Sequence, residues 1–284
     1  MIRMKRRLLL VALFTLVALG TPLRPALANT LPGKSSAVGI APHKALRSER
    51  IEYRDGEQEL EGYFAWDDSK SGRRPGVLVV HDWTGINPHT RAVADRLAKL
   101  GYAALAVDVY GKGVRPGAPT QAGAEAGKYK QDRALFRSRL LAGHRALLDR
   151  AQVDGQRTAA IGYCFGGTGV LELARAGADV DGVVSFHGGL DSPTPADGGN
   201  IRAQVLILHG AEDPFVPQKD VDAFLTEIRG AKVGWQMISY GGAVHAFTNP
   251  AAGNDPSTGA AYDEQADRRS WLAMRQFLDD VFHQ

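Results

Sequence analysis

The chain has 284 residues, 44% hydrophobic and 23% charged, with a single cysteine, Cys164. That balance excludes a disordered or collagen-like chain, and one cysteine excludes a disulfide-built scaffold. The net charge of +3 is owed to Arg3, Lys5, Arg6, Arg7 and Arg24; taking these five from the 34 basic residues leaves 29 against 31 acids, or −2, and no basic stripe argues for a nucleic-acid partner.

In chain order, the basic start is followed by an apolar run from Leu8 to Gly20, then Pro22, Pro25 and the small-residue end Ala26-Leu27-Ala28. This is the order of a secretory signal. The run is shorter than the roughly 20 residues of a membrane-spanning helix. Residues 1–28 are therefore expected to be a signal peptide, and 29–45, with Pro32, Gly33, Ser35, Ser36, Gly39 and Pro42, a flexible leader. Residues 46–284 remain as one domain, since α/β folds commonly run to about 250 residues as a unit. A periplasmic or secreted monomer is expected, free of the membrane once the signal is removed. In such an oxidising compartment a lone cysteine is either an inert packed thiol or a reactive one.

Ile51-Glu52-Tyr53, the turn Asp55-Gly56 and the segment Leu60 to Trp66 predict an opening β-hairpin. Gly76 to Val80 is continuously apolar, as in a parallel strand covered on both faces. Asn87-Pro88 predicts a helix start; Val93, Leu97 and Leu100 give its apolar face and Gly101 its end. Tyr102 to Val107 reads as a strand, and Gly111 to Gly127 as a loop before a helix through Leu135, Leu140, Leu141, Leu147 and Leu148. Strands follow at Thr158 to Tyr163, Val180 to Phe186, Val205 to Leu208 and Val233 to Tyr240. Helices are expected at Thr168 to Ala176 and Val221 to Ile228, and at the C-terminus through Trp271, Met274, Phe277, Leu278 and Val281. A hairpin followed by strand-helix units implies an α/β protein, its mainly parallel sheet covered by helices on both faces. Sites in such sheets form outside the carboxyl ends of the strands.

The chemistry concentrates there. Gly162-Tyr163-Cys164-Phe165-Gly166-Gly167 lies between a strand and a helix, the nucleophile-elbow pattern of the α/β-hydrolase fold with cysteine in place of serine. The turn is so sharp that side chains two before and two after the nucleophile would collide with backbone. An isolated cysteine is most often a small buried hydrophobe; here the glycines and the helix N-terminus, which favours thiolate, argue for a nucleophile. Asp213 and His245 follow in the fold's order of nucleophile, acid, histidine, each just past a strand. Asp213 also precedes Pro214, where a plain turn-forming role competes, and Glu212 is the competing acid. Oxyanion stabilisation needs two backbone N–H groups, expected from Phe165 and Trp83. His187 is a pocket candidate by position, while His81 and His209, at strand ends, are expected to pack beneath the site. No histidines, acids or cysteines are spaced as metal ligands, and no phosphate loop is present.

From the elbow, Asp213, His245, the loop His81-Asp82-Trp83-Thr84-Gly85-Ile86-Asn87 and Asp108-Val109-Tyr110-Gly111, the chain resembles the dienelactone hydrolases over about residues 50–283. The resemblance implies a cofactor-independent Cys-His-Asp hydrolase of small lactones or carboxylic esters. It also implies an acid touching the resting nucleophile, where Asp82 stands in place of the usual glutamate. Dienelactone-cleaving members bind the substrate carboxylate with two arginines. At those places this chain has Lys112, two residues beyond Tyr110, and Asn249, beyond His245 and Phe247. Tyr110, Lys112, His187, Phe247 and Asn249 are thus the pocket candidates, and a preference for neutral substrates is expected. Two alternatives remain open: a secreted binding protein on the same fold, since fold alone does not imply turnover, and a thioesterase or peptidase with the same triad.

Export has a direct test. Ala26 and Ala28 supply the small residues that signal peptidase requires, so N-terminal sequencing of the exported protein should begin at Asn29; membrane-bound material with an intact Met1 would contradict it.

Overall fold

The computed structural model describes residues 46–69 and 71–283. The expected signal peptide and leader lie outside the described residues. Within them, strands β1 (Leu46–Asp55) and β2 (Gln58–Asp67) form the expected hairpin around Gly56. The strands β3 (Arg74–Val80), β4 (Ala103–Val107), β5 (Val153–Tyr163), β6 (Gly182–Phe186), β7 (Gln204–Gly210) and β8 (Trp235–Tyr240) follow. They join in one eight-stranded sheet of order β1-β2-β4-β3-β5-β6-β7-β8. The pairs β1–β2 and β2–β4 are antiparallel and the rest parallel.

Alternation along the strands feeds two cores. Leu78 and Val80 of β3 point to one, with α3 (Arg133–Leu148), α4 (Phe165–Arg175) and α5 (Gln218–Ala231). Val77 and Val79 point to the other, with α1 (Pro88–Leu100) and α6 (Glu264–Phe282). Both faces being covered explains why these strands read as unbroken apolar runs. Asn87 caps α1 by accepting from the Thr90 N–H at 2.9 Å, and Gly101 closes it at φ 104°.

The structure corrects one element. Residues 111–127, expected as a loop, contain the first part of helix α2 (Pro119–Gln131). Its buried face is only Ala122, Ala126 and Tyr129, spaced as one helical stripe. Gly123 and Gly127 each oppose helix by about 1 kcal/mol, so the local pattern is weak and packing onto the domain decides.

Sheet order also places the site. β3 lies between β4 and β5, and the chain leaves it for one neighbour and returns on the other side. This is a topological switch point, where loops diverge and a crevice opens. The helix that follows β5 is then locked from behind. Arg175, fully buried on α4, donates to both carboxylate oxygens of Glu227 on α5 at 2.8 and 2.7 Å and to Glu172 at 2.9 Å. Glu172 also accepts from Arg137 of α3 at 2.7 Å. Removing one member of such a buried set leaves the other charges unpaired. Arg175→Met is therefore expected to lose about 3–5 kcal/mol of stability in urea unfolding; a loss below 1 kcal/mol would contradict this account.

Candidate active site

Cys164 joins β5 to α4 at φ 54° and ψ −114°, a positive-φ conformation that L residues rarely adopt. A Cβ on Gly162 would overlap the Gly166 carbonyl, and one on Gly166 would overlap the Val80 carbonyl. Those two glycines are what let the turn press against β3. The Cys164 carbonyl accepts from the N–H groups of Gly167 and Thr168 at 2.9 and 3.2 Å. The Phe165 N–H serves no other group among the described residues.

Asp213 and His245 converge on the cysteine from 49 and 81 residues away in sequence. His245 Nε2 lies 3.0 Å from Cys164 Sγ, and His245 Nδ1 lies 2.7 Å from Asp213 Oδ2. Asp213 also holds its own turn, its Oδ1 accepting from the Phe215 N–H at 2.9 Å. Glu212 is exposed. The His245 backbone is pinned by residues 259–261, donating to Gly259 O at 3.1 Å and accepting from Ala261 N–H at 3.0 Å. Burial alone would lower the imidazole's pKa, but hydrogen bonds to Asp213 and Cys164 outweigh it and raise it to about 10.

His187 does more than line the pocket. Burial holds it well below the usual histidine range, so its ring is neutral. Its Nδ1 accepts from the Cys164 N–H at 3.2 Å, which leaves the proton on Nε2 for donation to Thr248 Oγ1 at 2.8 Å. The ring packs edge-on against His245, 5.2 Å between centroids.

The loop after β3 is bound as tightly. His81, fully buried, has Nδ1 2.6 Å from the Asp82 carbonyl, and its Nε2 accepts from the Val109 N–H at 3.3 Å. The Tyr110 hydroxyl donates to the Trp83 carbonyl at 2.9 Å. The carboxylate expected beside the resting nucleophile is engaged elsewhere. Asp82 Oδ1 accepts from the Thr84 N–H and hydroxyl at 2.8 and 2.6 Å, and Oδ2 from Asn87 at 2.9 Å. With a stem one methylene shorter than glutamate's, this side chain closes its own loop.

These elements surround a cleft of about 680 Å³, lined by Cys164, His245, His187, Trp83, Phe165 and Asn249 among others. Three expected pocket residues lie outside it. Tyr110 is buried beneath, its ring against Phe165 and His81. Lys112 is turned outward by Gly111 and Gly113, both at positive φ, and pairs with Glu52 at 2.7 Å. Phe247 is fully buried against His187 and Tyr240, because Ala246 at φ 58° redirects the chain. Arg115 is held at Asp108 and the Gly111 and Val114 carbonyls.

Other lining residues were missed in the sequence. Gly123, Ala126, Gly127 and Lys130 come from α2, the helix read as a loop. His89 faces the cleft from α1. Phe215, 60% exposed, stands edge-on to His245 at 5.3 Å. Asp-Pro-Phe after a strand was its one sequence signal. Among the described residues no three His, Cys, Asp or Glu side chains group so as to hold a metal ion.

The sheet, the elbow and the convergent histidine define an α/β-hydrolase. The chain belongs to the dienelactone hydrolase family, whose model matches residues 60–282. It is a dienelactone hydrolase-like hydrolase. The solved structure "m3DLH" is 44% identical, with a TM-score of 0.81 over 84% of this chain and 99% of that one. A dienelactone hydrolase-like promiscuous phosphotriesterase, P91, from metagenomic libraries is 42% identical, with a TM-score of 0.79 over the same shares. A Synechocystis protein named "Putative carboxymethylenebutenolidase" is 27% identical over 78% of this chain and 91% of its own length.

The raised pKa of His245 has a measurable consequence. Its folded value of about 10 lies above the unfolded value of about 6.5. The stabilisation is thus fully present below about pH 6.5 and lost as pH rises toward 10. Imidazole NMR should show His245 losing its charge near pH 10 in the wild type and at clearly lower pH in Cys164→Ala, which lacks the Sγ partner. Identical titrations in both would contradict the assignment.

Proposed function

We propose that the protein is an exported, cofactor-independent hydrolase of carboxylic esters or lactones, with Cys164 as nucleophile, His245 as acid-base and Asp213 as its orienting partner. The observation that carries this reading is the continuous chain Sγ–Nε2 at 3.0 Å and Nδ1–Oδ2 at 2.7 Å on the wall of an open cleft. The thiolate is the nucleophilic form of a cysteine, and His245 Nε2, beside Sγ, is placed to exchange its proton. Attack forms the S–C bond and moves the carbonyl electrons onto oxygen, which the Phe165 and Trp83 N–H groups receive. As the tetrahedral species collapses, the C–O bond breaks and His245 gives its Nε2 proton to the leaving oxygen. Water then loses a proton to His245 and its hydroxide attacks the thioester. The acid departs, and thiolate and imidazolium are restored.

The cleft favours neutral substrates. Lys112 and Arg115 are committed elsewhere, and Asn249 carries no charge. Lys130 does reach the lining from α2, but it is exposed, and exposed ion pairs contribute about 0–1 kcal/mol. A buried charge-assisted bond contributes about 1.5–3 kcal/mol, roughly tenfold to more than a hundredfold in affinity. A second activity is favoured by the 42% identical relative described as a phosphotriesterase. A phosphate triester is neutral too and exposes an electrophile to the same thiolate.

One panel on the purified mature protein tests this. Aryl acetates and neutral lactones should turn over, with a diethyl aryl phosphate slower. Cys164→Ala should abolish all turnover while unfolding normally, and one equivalent of iodoacetamide should inactivate the wild type. In matched lactones differing only by a carboxylate, kcat/KM should favour the neutral member by about tenfold or more. Wild-type turnover in Cys164→Ala would sink the mechanism, and preference for the anionic lactone would sink the substrate class.

A further inference from the structure

We infer that His81 is a positioning residue that aims both oxyanion donors, through a hydrogen bond to the peptide carrying one and ring contact with the residue carrying the other. The inference rests on the nucleophilic reading above and deepens it. His81 follows directly on β3 and is fully buried. Burial lowers its pKa below the ordinary value, so the ring is neutral and carries one proton. Because Nε2 accepts the Val109 N–H, that proton sits on Nδ1, 2.6 Å from the Asp82 carbonyl oxygen.

A trans peptide is planar, with its C=O and following N–H antiparallel. Holding the Asp82 carbonyl on one side therefore sends the Trp83 N–H to the other. That N–H has no acceptor among the described residues, and Trp83 lines the cleft with Cys164 and Phe165. The Gly85 N–H reaches the same carbonyl at 3.3 Å, and the Tyr110 hydroxyl fixes the next one at 2.9 Å. Those two partners belong to loops, whereas His81 is anchored to the sheet.

The second contact is with Phe165, the other donor residue. The His81 ring lies 5.8 Å from the Phe165 ring at 16° between planes, with Tyr110 edge-on at 4.7 Å on the same imidazole. One rigid ring therefore registers the β3 loop against the elbow. A leucine could fill the space but has no donor for the Asp82 carbonyl. Asparagine could place an amide N–H near the position of Nδ1.

Removing one oxyanion donor lowers kcat by about 10²–10³, and a mis-aimed one should lose part of that. The test compares wild type, His81→Leu and His81→Asn on an aryl ester and its thiono analogue, whose sulfur gains little from N–H donors. Alkylation of Cys164 by iodoacetamide, which develops no oxyanion, is followed alongside. His81→Leu should lower kcat on the oxo-ester about 10- to 100-fold. Its KM should stay within about twofold, because the donors act chiefly in the transition state. The thiono-ester rate should change far less and alkylation should stay near wild type, while His81→Asn should recover most of the lost kcat. Oxo and thiono rates falling together would overturn the role. So would alkylation falling in parallel, asparagine failing as badly as leucine, or an unaffected His81→Leu. Turnover surviving in Cys164→Ala would overturn the nucleophile itself, a separate failure.

Discussion

Two backbones touch where β5 turns into α4. Gly166 lies so close to the Val80 carbonyl that no side chain fits between them, and most of the site follows from this. It sets the end of β3, and hence the loop from His81 to Asn87, beside Cys164. It also requires the positive-φ turn at Cys164, a strained conformation that persists only where its surroundings over-determine it. Those surroundings are visible: the Cys164 N–H is shared between the Phe186 carbonyl and His187 Nδ1, and its carbonyl receives two N–H groups of α4.

Four histidines beside one sheet edge, three of them buried and His245 half-buried, differ in what flanks their rings. His81, His187 and His209 are pushed down by burial and stay neutral. His245 alone is pulled up, because a carboxylate and a sulfur flank its two nitrogens. Burial is thus a common background, and the partner set decides which ring holds charge. His81 and His187, neutral and hydrogen-bonded at both ring nitrogens, serve as rigid, single-tautomer connectors, which a charged imidazolium accepting no hydrogen bond could not.

The cleft is shaped by what α2 lacks. Gly123, Ala126 and Gly127 leave space opposite the elbow, and Trp83 and Phe215 supply large apolar surfaces at the rim. Such a surface suits the neutral substrates proposed above. Asp82 and His245 bring charge to the lining beside Cys164, and Lys130 reaches it at the exposed margin, where water screens it.

The sequence by itself determined the alternation of elements, the elbow and the order Cys164, Asp213, His245. Each of these is a local signal: continuous apolar runs mark strands covered on both faces, and glycine spacing marks the turn that only glycine permits. Tertiary structure alone decided the direction of side chains on the connecting loops. Lys112 and Phe247 sit at plausible pocket positions in the chain, yet positive-φ residues beside them turn one outward and the other into the core. It also decided α2, whose small buried stripe becomes helical by docking, and the pairing of Asp82 with its own loop instead of Cys164. Those outcomes depend on which groups meet across many residues of intervening chain, and loop rotations of a single dihedral settle them. Neither composition nor periodicity encodes that meeting.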